Sequence, residues 1–586
     1  MTRANERHNV DRSQDITQPL DKLHDNERIK AESNYLRGRL HESLAERITG
    51  TVLGDDHQLT KFFGTYVQDD RDLRDERRRK MLEPAYEFMI RVRMPAGVCR
   101  PEQWRALDEL ACTRANGTLR LTTRQTFQFH GVLKRDLVAT MQGIHDTLLD
   151  TLAACGDDNR GVMATPVPEF SATHAAVYPI AKQVSDRLLP RTRAFHEIFL
   201  NEQPVYEGHK EGPAVEEEPL YGRTYLPRKF KIGFAIPPVN DVDVFTQDIG
   251  FIAIAGADGT LQGFNVAVGG GMGRTDNDTR TYPRLGDVLG FIEPETAADV
   301  AEAIVAIQRD FGNRVDRKLA RMKYTIDRHG LAWFVDELQE RLGWDLAPAR
   351  HYAFETSQDR YGWTQNADGT WNYTLFVENG RVKDTDDRPM MTGLREIAKV
   401  HQGDLRVTPN QNLIVARIPE DRVGEIQALL ESHGIVAATE QSTVRRHAMA
   451  CVAFPTCGMA MAESERYFPA FMTRIEAMLE EVGLGDAPIV MRMTGCNNGC
   501  ARPYVAEVGF SGRAPGHYNL YLGGGYFGER LAKPYLDNAD EATILAHLRP
   551  MLAAYAEERE HGEPFGDFLI RKGYVAKVAH GLDFNA

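Results

Sequence analysis

The chain repeats itself, and that restricts its fold more than any other feature. GTLRLTTRQ, Gly117 to Gln125, aligns without a gap on GDLRVTPNQ, Gly403 to Gln411. Each copy closes the same predicted order of strand, helix and strand: EFMIRVRMPAG, PEQWRALDELACTR and GTLRLTTRQTFQFHG, then NYTLFVENGRV, GLREIAKVHQ and GDLRVTPNQNLIVARIP. Alternating apolar residues mark the strands and helical spacing marks the helices. A second pair agrees with the first. FNVAVGGGMG, Phe264 to Gly273, matches YNLYLGGGYFG, Tyr518 to Gly528, each an alternating strand that runs into three glycines. At 586 residues the chain is too long for one core. The expectation is an internally duplicated α+β (mixed α/β) protein, each copy a small αβ sandwich followed by a larger α/β lobe.

Outside the repeat, residues 1–80 are polar and rich in charge, DDRDLRDERRRK (Asp69 to Lys80) among them, and are predicted to form a helical arm facing water. A docking arm for a partner is the functional alternative. The net charge of −14 argues against a nucleic-acid partner. An anionic ligand would therefore need a local basic pocket. No apolar run approaches a membrane span, and the first residues lack the apolar core of a secretion signal, so a cytoplasmic place is expected.

Four of the seven cysteines, Cys451, Cys457, Cys496 and Cys500, lie in two short loops, CVAFPTC and TGCNNGC. Clustered thiols in such a chain point to metal or redox chemistry rather than disulfides. Zinc sites usually pair cysteines two to four residues apart and often add histidine, a habit neither loop fits well. Four soft thiolates suit a [4Fe-4S] cluster, and unliganded core thiols are the third reading.

The basic residues form candidate sets of their own. Arg120 and Arg124 are four apart on a predicted strand and so share a face, with Phe127 and Phe129 pointing away and Gln125, Gln128 and His130 adding polar groups. In LPRKFKIGFAIPP, Lys229 and Lys231 alternate on one face of another predicted strand. Half-exposed arginines and edge-strand lysines are the bland accounts. The glycines of GGGMG do not have dinucleotide spacing and read as tight backbone packing.

With ESER (Glu463 to Arg466) after the first loop, the cysteine motifs resemble the signature of the sulfite and nitrite reductase hemoprotein family, and the resemblance runs from about Tyr35 to Phe568. It implies a siroheme-type fold of pseudo-twofold related halves with the cofactors between them. The expected divisions are the arm at 1–80, ferredoxin-like half-domains at 81–150 and 346–430, a siroheme and substrate lobe at 151–345, and a cluster lobe at 431–586.

The resemblance assigns Cys451, Cys457, Cys496 and Cys500 to a [4Fe-4S] cluster, with Cys500 also the axial ligand of siroheme. It turns Arg120, Arg124, His130, Arg321 and Asn498 toward siroheme, and Arg91, Arg160, Lys229 and Lys231 toward the anion. Arg321 stands where relatives often carry lysine, Asn497 where many carry proline, and Gly458 and Met459 replace a proline-leucine pair. The implied activity is assimilatory reduction of sulfite to sulfide by six electrons, for cysteine biosynthesis. A siroheme nitrite reductase is the alternative, but those enzymes tend to have asparagine at the position of Lys231. A non-catalytic four-cysteine metal protein is the other. Electrons would come from NADPH through a flavoprotein subunit carrying FAD and FMN in a hetero-oligomer, or alternatively from ferredoxin.

Overall fold

Both copies of the repeated segment fold as hairpins. Leu119–Leu121 pairs with Phe127–Val132, and Asp404–Val407 with Leu413–Ile418. The unbroken strand predicted across residues 117–131 is thus interrupted, and Arg124 lies in the turn rather than on the face of Arg120. Gln125 and Gln411 close the two turns with positive φ, 53° and 70°, a conformation uncommon outside glycine. Buried hydrogen bonds hold it. The Gln125 amide donates to Ala164 O at 2.7 Å and accepts from Ala164 N at 2.9 Å, while Gln411 donates to Ala450 O at 3.0 Å.

The computed structural model describes residues 18–200, 217–435 and 437–586. Its first small sheet runs Thr65–Asp69, Tyr86–Arg91, Phe127–Val132, Leu119–Leu121, Arg381–Val382. The second runs Gly362–Gln365, Trp371–Leu375, Leu413–Ile418, Asp404–Val407, Val98–Cys99. The last strand of each sheet comes from the other copy. Gly97 and Gly380, at φ 74° and 75°, precede these exchanged strands. A Cβ on either would stand 2.3 Å from a carbonyl oxygen of the receiving copy, Val407 O or Leu121 O, so only glycine permits the crossing. Under the first sheet lie the helix Pro101–Arg114, which starts and stops where its sequence pattern predicts, and its wholly buried Trp104. Truncating such a side chain to alanine costs about 3–5 kcal/mol.

The two larger lobes share one topology. Met163–Ala164, Ile232–Ala235 and Ile249–Ala255 are parallel neighbours, and Leu261–Val268 and Asp287–Ile292 follow antiparallel. Ala448–Ala450, Met491–Thr494, Val508–Ala514, His517–Leu522 and Lys533–Asp540 repeat that order and those directions. The registers superimpose Ala164 on Ala450, Ala235 on Thr494 and Val268 on Leu522.

The polar arm expected at 1–80 is corrected by the sheet order. Its residues 1–17 lie outside the described residues, but Thr65–Asp69 is the edge strand of the first small sheet, paired with Tyr86–Arg91. Upstream, Lys30 is buried and donates to Glu27 at 2.6 Å and to Leu226 O at 2.7 Å, which ties the helix Asp25–Glu32 to the first lobe. Within DDRDLRDERRRK the helix Arg74–Arg79 has no buried residue and matches the solvated reading. The half-domain therefore begins before residue 80. Among the described residues no helix is long and apolar enough to cross a membrane.

Candidate active site between the two halves

The four clustered thiols open onto one cavity of about 470 Å³. Three sources build most of its wall. Arg91, Arg120, Arg124, Gln128 and His130 come from the first small sheet and its hairpin turn, Arg160, Lys229 and Lys231 from the first lobe, and both cysteine loops with Asn498 from the second lobe. Of the residues that the resemblance assigned to cluster, siroheme or anion, Arg321 alone is missing from the wall.

Each cysteine loop leaves the end of a strand, Cys451 directly after Ala448–Ala450 and Cys496 two residues after Met491–Thr494. Parallel neighbours bring these two ends side by side. Burial, and then the neighbouring thiols, push Cys451 and Cys457 up to about 12, and Cys496 likewise. Thiolates would form here only beside a compensating cation such as iron. Two N–H groups already point at sulfur: Gly495 N at 3.2 Å from Cys451 Sγ and Asn498 Nδ2 at 3.5 Å from Cys496 Sγ. Among the described residues no three His, Cys, Asp or Glu side chains gather tightly enough around one point to hold a single ion. The donors present, four soft sulfurs distributed around a cavity, fit an iron–sulfur cage.

Opposite the thiols stand the cations. Lys229 and Lys231 are half-buried, and neither ammonium has a hydrogen-bond or ion-pair partner among the described residues. Both pKa values fall well below the usual lysine range, chiefly through burial, then through Arg228 and Arg160 for Lys229 and through Lys229 and Arg124 for Lys231. The sequence reading placed them on a strand face. In the structure they flank Phe230, just before the strand Ile232–Ala235, and still line the same wall. Arg160 donates to Gly156 O at 3.0 Å and to the Tyr66 hydroxyl at 3.4 Å. Arg91 reaches Cys155 Sγ at 2.7 Å.

Two expected cofactor arginines are engaged elsewhere. Arg120, 2% exposed, donates to Glu465 at 2.7 Å, to Ala450 O at 2.9 Å, and to the carbonyls of Leu121 and Asn379. Its twin in the second copy, Arg406, grips Glu169 and Asp404 in the same manner. A role shared by both copies, one without cysteines, is a brace between hairpin and lobe. Arg321 is buried and forks onto Asp248 at 2.8 and 3.2 Å. Arg124 keeps one nitrogen free: its two terminal nitrogens donate to Gln247 Oε1 (2.8 Å), Ile232 O (3.2 Å) and Gly161 O, but its buried Nε has no partner. His130 is also buried with Nε2 unpartnered, and burial together with Arg381 and Arg120 drives its pKa well down, so the ring is neutral.

Several wall and support residues gave no sequence signal. His57, Lys61 and Tyr66 reach the cavity from the amino-terminal segment. Lys323 donates to the carbonyls of Gly271, Gly273 and Tyr282 and holds the first triple-glycine end, which meets the second cysteine loop through Arg274 N and Asn497 O at 3.0 Å. The Asn497 side chain donates to Asp276 at 3.0 Å and accepts from Ser511 at 2.7 Å, so this loop is braced by hydrogen bonds where many relatives are stiffened by proline. A Cβ added at Gly458 would meet no atom within 4 Å.

The comparisons agree with this geometry. Residues 180–346 match the nitrite and sulphite reductase 4Fe-4S domain, and residues 80–146 and 364–433 match the nitrite/sulfite reductase ferredoxin-like half domain. The chain belongs to the nitrite and sulfite reductase family, whose two half-domain matches coincide with the duplicated sheets. Similar relatives are the sulfite reductase (NADPH) hemoprotein beta-components of Shouchella clausii, 58% identical over 96% of this chain and 97% of the relative, and of Oceanobacillus iheyensis, 56% identical over 97% of each. That of Nitrobacter winogradskyi is 56% identical over 98% of this chain and 99% of the relative. The solved NirA protein of Mycobacterium tuberculosis shares the fold, with TM-score 0.75 and 22% identity, covering 94% of this chain and 97% of that one.

Proposed function

We infer that this chain is the hemoprotein component of an assimilatory NADPH-dependent sulfite reductase, which reduces sulfite to sulfide by six electrons and so supplies sulfide for cysteine biosynthesis. The observation that carries the reading is the pair of unpartnered ammonium groups, Lys229 and Lys231, on the cavity that the four thiols share. The four thiols fit a [4Fe-4S] cluster, which Cys451, Cys457, Cys496 and Cys500 would hold, and the family resemblance adds that Cys500 would also hold siroheme. When bound, cluster and siroheme supply one-electron storage beside the substrate.

The protein's own groups do the rest. Lys229, Lys231, Arg91 and Arg160 bind and orient the dianion, whose charge is worth more to a cation inside a cavity than in water. Sulfur passes from S(IV) to S(−II), and each of three oxygens leaves as water with two protons. An ammonium whose pKa is depressed by burial and like charge gives up its proton readily, so the two lysines are suited to deliver them. Arg124 through its free Nε, with His130 and Asn498, would hold siroheme in the cavity. Arg120 and Arg321 act one step back, as braces on Glu465 and Asp248.

No nicotinamide or flavin motif is visible in the chain, so electrons come from a partner. The relatives' names specify NADPH and a beta component, which supports a flavoprotein alpha subunit in a hetero-oligomer and gives no support to ferredoxin. The test is the visible spectrum and iron and acid-labile sulfide content of the full chain from cells that make siroheme, followed by turnover. Siroheme bands with about one four-iron cluster per chain are expected, and sulfite reduction with reduced methyl viologen but not with NADPH alone. A colourless zinc protein would overturn the metal assignment. NADPH turnover by the flavin-free chain would overturn the partner.

A further inference from the structure

Arg71 belongs to the amino-terminal segment, yet it is seated on the first cysteine loop. One terminal nitrogen donates to Ala460 O at 2.5 Å and to Cys457 O at 3.3 Å. Its guanidinium lies 4.3 Å from the centre of the Phe454 ring, and its backbone N–H donates to Pro455 O at 3.1 Å. The next residue adds an ion pair, Asp72 to Arg466 at 2.6 Å. One arginine thereby holds both sides of Cys457, through three carbonyls and a ring rather than through charge.

That choice of partners leaves the charge without a paired carboxylate. Among the described residues no carboxylate lies within ion-pair distance of Arg71, because its neighbour Asp69 is forked onto Arg74 at 2.7 and 2.9 Å. A fixed cation beside a buried metal centre favours the state with one more electron. Carbonyl oxygens and an aromatic face, unlike a carboxylate, keep a guanidinium in place without cancelling that effect.

We propose that Arg71 is a positioning residue that clamps the Cys457 loop and raises the reduction potential of the centre held there. The proposal rests on the assignment of the four cysteines to a [4Fe-4S] cluster. It gives the amino-terminal segment a part in electron entry, since a higher potential makes the cluster easier for a donor to reduce.

The test is potentiometric titration of the cluster, followed by its EPR signal, in the full chain with siroheme, for the parent, Arg71→Met and Arg71→Lys. Arg71→Met is expected to lower the one-electron reduction constant about tenfold, about 59 mV, and Arg71→Lys to restore most of it. The same titration follows the siroheme signal, which should move less. A parent-like cluster potential in Arg71→Met overturns the proposal, as does an equal fall in Arg71→Lys, which would make the contribution one of shape rather than charge. If Arg71→Met fails to hold iron, the parent and Arg71→Lys are compared after equal iron loading: a potential kept within a few millivolts supports the charge, and a full drop overturns it. A parent without an iron–sulfur signal would sink the ligand assignment itself, and with it the clamp.

Discussion

The two lobes place different chemistry on superimposable strands. From the paired registers, Cys451 of the second lobe matches Thr165 of the first, Cys496 matches Pro237, Cys500 matches Asp241 and Arg502 matches Asp243. Where the second lobe offers thiols, the first has a closed contact, Thr165 donating to Asp241 at 3.0 Å. The cations divide in the opposite sense. Lys229 and Lys231 correspond to Pro488 and Val490, and Arg124 to Asn410. One copy supplies the clustered thiols and the other the two lysines and Arg124, which leaves a single site with two unlike walls. At the matched positions Asp243 and Arg502, both in left-handed backbone, the halves are joined by an ion pair, which a strictly symmetric pair of like residues could not make.

The sharpest break of this comparison is Cys500→Ser against Thr165→Ala. The serine variant is expected to lose cluster and siroheme absorption together, and the alanine variant neither. Loss of colour in Thr165→Ala would show that the first lobe's counterpart site also carries a cofactor load.

Next in size is Asp243→Asn. It leaves Arg492 and Arg502, each buried against that carboxylate, without a counter-charge. A loss of about 3–5 kcal/mol is expected, read as a lower denaturant midpoint with both chromophores followed. An unchanged midpoint would mean that the ion pair does not join the halves.

Lys231→Asn tests the cation wall. It keeps a hydrogen-bond donor and removes charge, so sulfite kcat/KM should fall roughly tenfold, about 1.4 kcal/mol of transition-state stabilisation, while nitrite reduction falls less or rises. The variant must carry the parent's siroheme content. Equal losses for both anions would remove the basis for preferring sulfite.

The smallest expected effect is in Asp241, the counterpart of Cys500. Burial, and then the Asp359 carboxylate, push its carboxyl up to about 7, whereas in the unfolded chain it titrates near 3.9. The folded state therefore holds a proton that the unfolded state has released, and parent stability falls as pH rises between about 4 and 7. Asp241→Asn escapes that fall. Its stability relative to the parent should grow as pH rises across this window and stay level above it. Melting curves that keep a constant difference from pH 5 to 8 would contradict the buried, protonated carboxyl.

Much of this division was legible in the sequence. The nine-residue repeat and the glycine strands reported the duplication, because each copy needs the same backbone approaches, and the clustered cysteines marked the two loops that meet at the cavity. The hairpin turn was hidden, since it is built from Thr122, Thr123, Arg124 and Gln125 with neither glycine nor proline, so the alternation reads through it. The Arg120 brace was hidden for a related reason: its partner Glu465 is 345 residues away and no local pattern announces it. Thr65–Asp69 passed for solvated arm because an edge strand with half-exposed residues carries little apolar signal.

The exchanged strands bear on how the protein is made. Leu119–Leu121 emerges from the ribosome as an unfinished edge, and its neighbour Arg381–Val382 follows roughly 260 residues later. At about 5–20 residues per second that is roughly 13–50 s with a hydrogen-bonding edge open to other nascent chains. Neither half-domain can complete its sheet without the other. Assembly of the cavity, and with it any loading of metal, must therefore await the last third of synthesis.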